Sequence, residues 1–214
     1  MGAIYFPSCN FTKASPKAAR RLRSYLKEKM PVAGCCRVDN TPYPAGDKAL
    51  YFCQACRETL EQKPGNQLIP ENLFVWLLEQ ADFPWPDYRG LTVNVQDCWR
   101  DRKHPEIFQA VRSCLGKMRV QVREMEENRE RSVFCGNLHF EPHLPENIAL
   151  VNARPGVPLY DFPEEEQARL FAEKKAKYTA PLAVTYCNRC TAGISLGGGK
   201  AVHLMELAME TYLE

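Results

Sequence analysis

The sequence predicts an α/β protein of two pseudo-repeated lobes with largely parallel sheets, and three observations carry that prediction. Short apolar runs of strand length alternate with amphipathic runs of helix length along the 214 residues, the pattern of strand–helix–strand crossovers. Nine of the ten cysteines fall at or near the ends of those runs. Their order, a lone cysteine, a cysteine turn and then a Cys-x-x-Cys pair, occurs twice. Cysteines at strand C-terminal ends would gather at one sheet edge, where α/β folds place their ligands.

The first lobe opens with a strand, Ala3 to Phe6, running into Cys9. Ser15 then stands as an N-cap with Pro16 at the first helical position, and Ala18, Leu22, Tyr25 and Leu26 recur at helical spacing toward Met30. Cys35 and Cys36 sit in a turn, and the Pro- and Gly-rich stretch 40–47 reads as loop. Lys48 to Phe52 predicts a strand ending on Cys53, with Cys56 opening the next helix, and Leu73 to Leu78 reads as a buried helix. Phe83-Pro84-Trp85-Pro86 breaks the pattern and sets a boundary between a lobe of residues 1–88 and one of residues 89–214.

The second lobe repeats the plan. A strand from Leu91 to Val95 runs into Cys98, Pro105 opens a helix to Met118, and a strand from Arg119 to Glu124 leads toward Cys135. After a proline-punctuated loop comes a charged helix from Pro163 to about Tyr178. Leu182 to Tyr186 predicts a strand ending on Cys187, Cys190 opens a helix, and Leu204 to Leu213 closes the chain as a helix.

Composition excludes little. A formal charge of +2, 25% charged and 45% hydrophobic residues describe an ordinary globular protein without a strongly acidic or basic partner. The first eleven residues lack a secretory signal pattern, and no apolar run reaches the roughly 18 residues of a membrane helix. The expectation is a cytoplasmic protein with no direct membrane insertion. Ten cysteines in a reducing compartment read as metal ligands or working thiols before they read as disulfides.

Thiolates converging on one point repel each other unless a cation neutralises them, and they select soft or borderline metals. The first set, Cys9, Cys35, Cys36, Cys53 and Cys56, has five sulfurs, one more than structural zinc uses, which favours an iron–sulfur cluster. The second set, Cys98, Cys135, Cys187 and Cys190, suits a 4Fe-4S cubane or zinc equally well. A metal-free dithiol at Cys53-x-x-Cys56, beside a helix N-terminus, stands as a further reading. Cys114 shares a helix face with Ile107, Phe108, Val111, Leu115 and Met118 and reads as core. None of His104, His139, His143 and His203 has a partner at helical or turn spacing that completes a site; His139 and His143, near Cys135, are the best candidates, with a surface or loop role as the default reading. Arg37, Arg57, Arg100 and Arg189 each lie within two residues of an expected ligand, and the run Gly197 to Lys200 reads as a turn.

The order Cys9, Cys35-Cys36, Cys53-x-x-Cys56, then Cys98, Phe134-Cys135-Gly136 and Cys187-x-x-Cys190, resembles the cysteine-rich CCG domain family, best known from heterodisulfide reductase. Flanking residues share the likeness: Tyr5-Phe6-Pro7-Ser8 before Cys9, the run Glu124 to Glu130, and Val202-His203-Leu204-Met205-Glu206-Leu207. The resemblance spans nearly the whole chain. It implies an iron–sulfur redox protein, an electron-transfer or thiol–disulfide or organic-acid oxidoreductase subunit, with a noncubane 4Fe-4S cluster on the five cysteines of the first lobe. Some members hold zinc, so a zinc-binding assembly or interaction module is the alternative. Phe134 stands in place of a paired cysteine and Arg37 in place of a glycine, which sets this chain apart from the family pattern. No catalytic residue is assigned. With no nicotinamide or flavin fingerprint, electrons would arrive from an electron-transfer partner protein or from other subunits of an oxidoreductase complex. The segment Lys13 to Lys29, with seven basic residues against Glu28, is a solvated face or a dock for such a partner when acidic. Aromatic residues are not interleaved as nucleic-acid binding requires.

Overall fold

The computed structural model describes residues 2–132, 136, 145 and 163–212. The protein is α/β, with two sheets of parallel strands. It divides into two compact units, the first made of Met1–Gly90, Glu106–Val120 and Leu204–Glu214, the second of Leu91–Pro105 and Gln121–His203. The chain passes from the first unit to the second after Gly90, and the helix after Pro105 and the C-terminal segment belong to the first unit.

In the first unit β1 (Ala3–Tyr5), β2 (Lys48–Tyr51) and β3 (Ile69–Asn72) pair in parallel in the order β1-β2-β3. Beyond β1 the chain at Val32 makes one parallel bridge to Tyr5, with the Tyr5 N–H on the Pro31 carbonyl at 3.0 Å and the Ala33 N–H on the Tyr5 carbonyl at 2.9 Å. β1 and β2 are nearly continuous apolar runs because both faces are covered, as parallel sheets require. One face carries Ile4, Phe6, Ala49 and Tyr51 into a cluster with Cys36, Cys56 and Leu60. On the other, the Phe52 ring meets Phe11 and Phe74.

Two helices precede β2. The six-residue α1 (Cys9–Ala14) has no counterpart in the sequence reading; the Ser8 hydroxyl caps it by accepting the Phe11 N–H at 3.1 Å. α2 (Pro16–Leu26) buries Ala18, Ala19, Leu22 and Leu26 along one stripe, and each fully buried leucine contributes about 1.5–3 kcal/mol. Ser15 does stand at its N-cap but makes no side-chain cap bond; its hydroxyl instead donates to Glu206 at 2.9 Å. α3 (Gln54–Gln62) follows β2, starting two residues before Cys56 with Cys53 at the N-cap. α4 (Leu73–Leu78) is the expected buried helix, capped by Asn72. α5 (Pro105–Lys117) lies almost wholly in the same unit.

The second unit has the strand order β5-β4-β6-β7, all parallel, from β4 (Thr92–Val95), β5 (Gln121–Arg123), β6 (Ala183–Thr185) and β7 (Ala201–His203). A 3-10 turn, Trp99–Asp101, follows β4, and a second, Arg129–Arg131, follows β5. α6 (Glu164–Lys175) carries Glu164, Glu165 and Glu166 in its first turn and Lys174 and Lys175 in its last, each sign placed to favour the helix dipole. α7 (Asn188–Leu196) follows β6. α8 (Leu204–Ala208) follows β7 in the chain but belongs to the first unit, and Glu210 just beyond it has a left-handed φ of 53° that ends the helix short of the expected Leu213. Among the described residues, no helix is long and apolar enough to cross a membrane.

Candidate metal centre

Three of the four cysteines expected in the second unit meet. The Sγ atoms of Cys98, Cys187 and Cys190 all lie within 4.8 Å of one another, and all three residues are buried. Local structure explains the convergence. Cys98 lies three residues past β4 and is the N-cap of the 3-10 turn, while Cys187 lies two past β6 and is the N-cap of α7. β4 and β6 are adjacent and parallel, so their C-terminal ends deliver both cysteines to one edge. Cys190 is brought back by the first turn of α7, where the Thr191 N–H reaches the Cys187 carbonyl at 3.1 Å.

Cys135, with Phe134, His139 and His143, lies outside the described residues. Its neighbour Gly136 is described and buried against the turn of Cys190. A Cβ added there would stand 2.1 Å from the Arg189 carbonyl oxygen and 2.9 Å from the Cys190 Cα, and one added at Gly193 would stand 2.6 Å from the Gly136 Cα. Two glycines therefore let Gly136 seat on α7, a close backbone approach that a side chain would block.

Buried polar groups surround the triad. Tyr186, between β6 and Cys187, accepts the Cys98 N–H on its hydroxyl at 3.0 Å and donates to Asp97 Oδ1 at 3.2 Å. Its hydroxyl pKa is driven up by burial first and then by Asp97, Asp101 and Cys98. His203, at the end of β7, is hydrogen-bonded to the Tyr186 backbone; burial outweighs the nearby Cys187 and holds its imidazole at a pKa of about 4, so it is neutral at pH 7. Arg100 is buried next to this site, whereas Arg189 is exposed.

The five cysteines of the first unit form a chain of thiol contacts rather than a tight triad. Cys9 hydrogen-bonds Cys35 and feels Cys36 and Cys53, and Cys56 hydrogen-bonds both Cys36 and Cys53. Burial, then these neighbours, raise the Cys9 thiol. The hydrogen bond from Cys56 brings Cys36 down to about 6, while Cys56 itself is raised by its bonds to Cys36 and Cys53 and by burial. Cys53 is the N-cap of α3 as Cys187 is of α7, and exposure falls from Cys9 at the surface to buried Cys36 and Cys56. Arg37 is exposed and lowers the Cys36 thiol slightly, and Arg57 is buried with its Nε 3.7 Å from Glu61.

The turn that carries Cys35 and Cys36 is fastened by Asp39. Its carboxylate accepts N–H bonds from Gly34 at 2.5 Å and Thr41 at 2.8 Å and a hydroxyl bond from Tyr43 at 3.2 Å, while Lys63 holds its carbonyl. Cys114 is separate from both groups. It is fully buried on α5, with its thiol directed at the Phe74 carbonyl at 3.9 Å and its pKa raised by burial. Sequence reading names the cysteines by spacing but passes over Asp39, Asp97 and Tyr186. An Asp-x-Thr turn signal is present at Asp39; nothing local marks the other two.

Thiols within a few ångströms of each other suit soft or borderline metal ions, so the three buried cysteines are competent metal ligands. Compared with protein-family models, curated proteins and solved structures, the chain matches none of them.

Proposed function

We propose that this is an iron–sulfur-binding redox protein, an electron-transfer protein or oxidoreductase subunit, in which the first unit holds the active cluster and the second unit holds a further metal. The observation that carries metal binding is the convergence of Cys98, Cys187 and Cys190. The segment after β4 supplies the first of these and the segment opening α7 the other two, so sulfurs far apart along the chain meet at one point. The redox assignment rests on the first unit, where a chain of contacts links five thiols, one more than the four that close a zinc site. When bound, such a cluster supplies one-electron transfer, or reduction of a disulfide where substrate reaches it.

The duplicated plan expected from the sequence is supported by strand order. With the bridging chain at Val32 counted in the place of β5, both sheets run second, first, third, fourth along the chain. Cys53 and Cys187 both follow the third of these segments, as N-caps of α3 and α7. Cys135 is proposed as the fourth ligand of the second unit because it precedes Gly136, the residue seated on the Cys190 turn.

A second reading, zinc in the second unit, is favoured by the spacing there. Thiolates around one tetrahedral ion at about 2.3 Å stand about 3.8 Å apart, and the triad lies within 4.8 Å. Ligands on separate irons of a cluster would stand wider, because the metal–metal spacing is added. Purification without oxygen, followed by iron, acid-labile sulfide and zinc analysis, tests both readings. Iron with sulfide, lost in Cys36→Ser, is the expected result; zinc alone would leave the protein a binding or assembly module.

A further inference from the structure

We propose that Tyr186 is a positioning residue that fixes Cys98 against Cys187 for metal binding in the second unit. This inference rests on the metal reading of that site and names a residue outside the thiol set. Tyr186 is 1% exposed and precedes Cys187 in the chain, so its backbone already determines where one ligand begins. Its hydroxyl crosses to the other segment and accepts the Cys98 N–H at 3.0 Å. One side chain thus ties together two ligands that are distant in sequence.

The hydroxyl is held from behind. It donates to Asp97 Oδ1 at 3.2 Å, and Asp97, fully buried, accepts the Arg129 N–H on Oδ2 at 2.7 Å. Arg129 adopts a left-handed φ of 50°, an uncommon state for a residue with a Cβ. The Asp97 carbonyl accepts the Ser132 hydroxyl at 2.7 Å and the Gln96 side-chain amide at 2.9 Å. A carboxylate and a phenol buried together cost desolvation that a phenylalanine and an apolar partner would avoid. What the polar pair supplies is orientation: with its proton committed to Asp97, the hydroxyl has a lone pair left for the Cys98 amide. Groups that orient metal ligands act in this way, and their loss weakens metal binding by about 10- to 100-fold.

The test uses the full chain, reduced and without oxygen, with Co²⁺ as probe. The signal of this site is the thiolate-to-cobalt charge-transfer and ligand-field absorption that disappears in Cys187→Ser. Tyr186→Phe is expected to weaken cobalt about 10- to 100-fold in competition with a chromophoric chelator and to shift the ligand-field bands. Val93→Ala, which trims a buried side chain of β4 without touching this network, is expected to lower stability and leave affinity and bands unchanged. Wild-type affinity and bands in Tyr186→Phe, or an equal loss in Val93→Ala, overturns the proposal. Where Tyr186→Phe does not fold, Asp97→Asn decides: weakened cobalt supports the positioning role and unchanged cobalt overturns it. No Cys187-dependent signal in the wild type sinks the metal reading and this inference with it, whereas a normal wild type with an unchanged Tyr186→Phe sinks the inference alone.

Discussion

Asp39 fastens the Cys35–Cys36 turn of the first unit through its carboxylate, and its titration gives that turn an acid limit. Burial alone would raise its pKa, but the bonds from Thr41, Gly34 and Tyr43 outweigh burial and bring it from 3.8 to about 2. A folded pKa below the unfolded one stabilises the fold above the unfolded value, and that contribution is lost as pH falls from about 4 through about 2. Asp39→Asn is therefore expected to lower stability at pH 7 and to flatten the pH dependence between about 4 and 2; an unaltered acid-unfolding curve in the variant would contradict this role. Cys114 supplies the complementary case. Cys114→Ser places a hydroxyl in a fully buried site, so stability should fall by about 1–3 kcal/mol while metal content per chain stays the same. Loss of metal in that variant would mean that the cysteines have been divided wrongly. Cys98, Cys187 and Cys190 were legible because their spacing is distinctive. Asp97 and Tyr186 were not, because their role comes from a pairing across 89 residues of chain.

At the scale of elements, the glycine of α7 reverses an ordinary rule. Replacing a glycine inside a helix by alanine usually gains up to about 1 kcal/mol. In α5, a Cβ at Gly116 meets nothing within 4 Å, and Gly116→Ala should gain stability of that order. In α7, a Cβ at Gly193 meets the Gly136 Cα at 2.6 Å and the Phe171 ring at 3.1 Å, and overpacking of this kind costs about 1–3 kcal/mol. Opposite signs for the two substitutions in chemical denaturation are the expected outcome, and a gain at Gly193 would refute the close seating of Gly136. Helices α2, α4, α5, α6 and α7 were legible in the sequence because their apolar spacing, their N-terminal prolines or the cysteine pair at their start mark them. β3 and β7 were not. Each has four residues or fewer and lies at the edge of its sheet, and β3 contains Pro70, which an edge strand tolerates but a sequence reading takes as a break. The short α1 was hidden for a related reason: six residues display less than two turns of periodicity.

At the scale of the whole molecule, the net charge of +2 hides an uneven distribution. Opposite the buried stripe of α2, Lys17, Arg20, Arg23 and Lys27 are exposed, and Lys13 of α1 is exposed as well. Arg23 lies within electrostatic reach of the Tyr5 hydroxyl, which also feels Cys56 and Cys53, so the basic face begins beside the first cysteine group. On the redox function proposed above, electrons come from a carrier protein, and a basic face favours an acidic carrier by steering encounter, an effect worth about 10- to 1,000-fold in association rate at low salt. Combined Lys17→Glu, Arg20→Glu and Lys27→Glu substitutions should therefore slow reduction by an acidic electron-carrier protein by about tenfold or more at low ionic strength. The difference should shrink near 1 M salt, where the screening length falls to about 3 Å. Reduction by a neutral photochemical donor should proceed as in the wild type, because it does not depend on steering. Equal slowing with both donors would assign the loss to damage at the cysteines, and no slowing with the acidic carrier would leave the face a solvated surface.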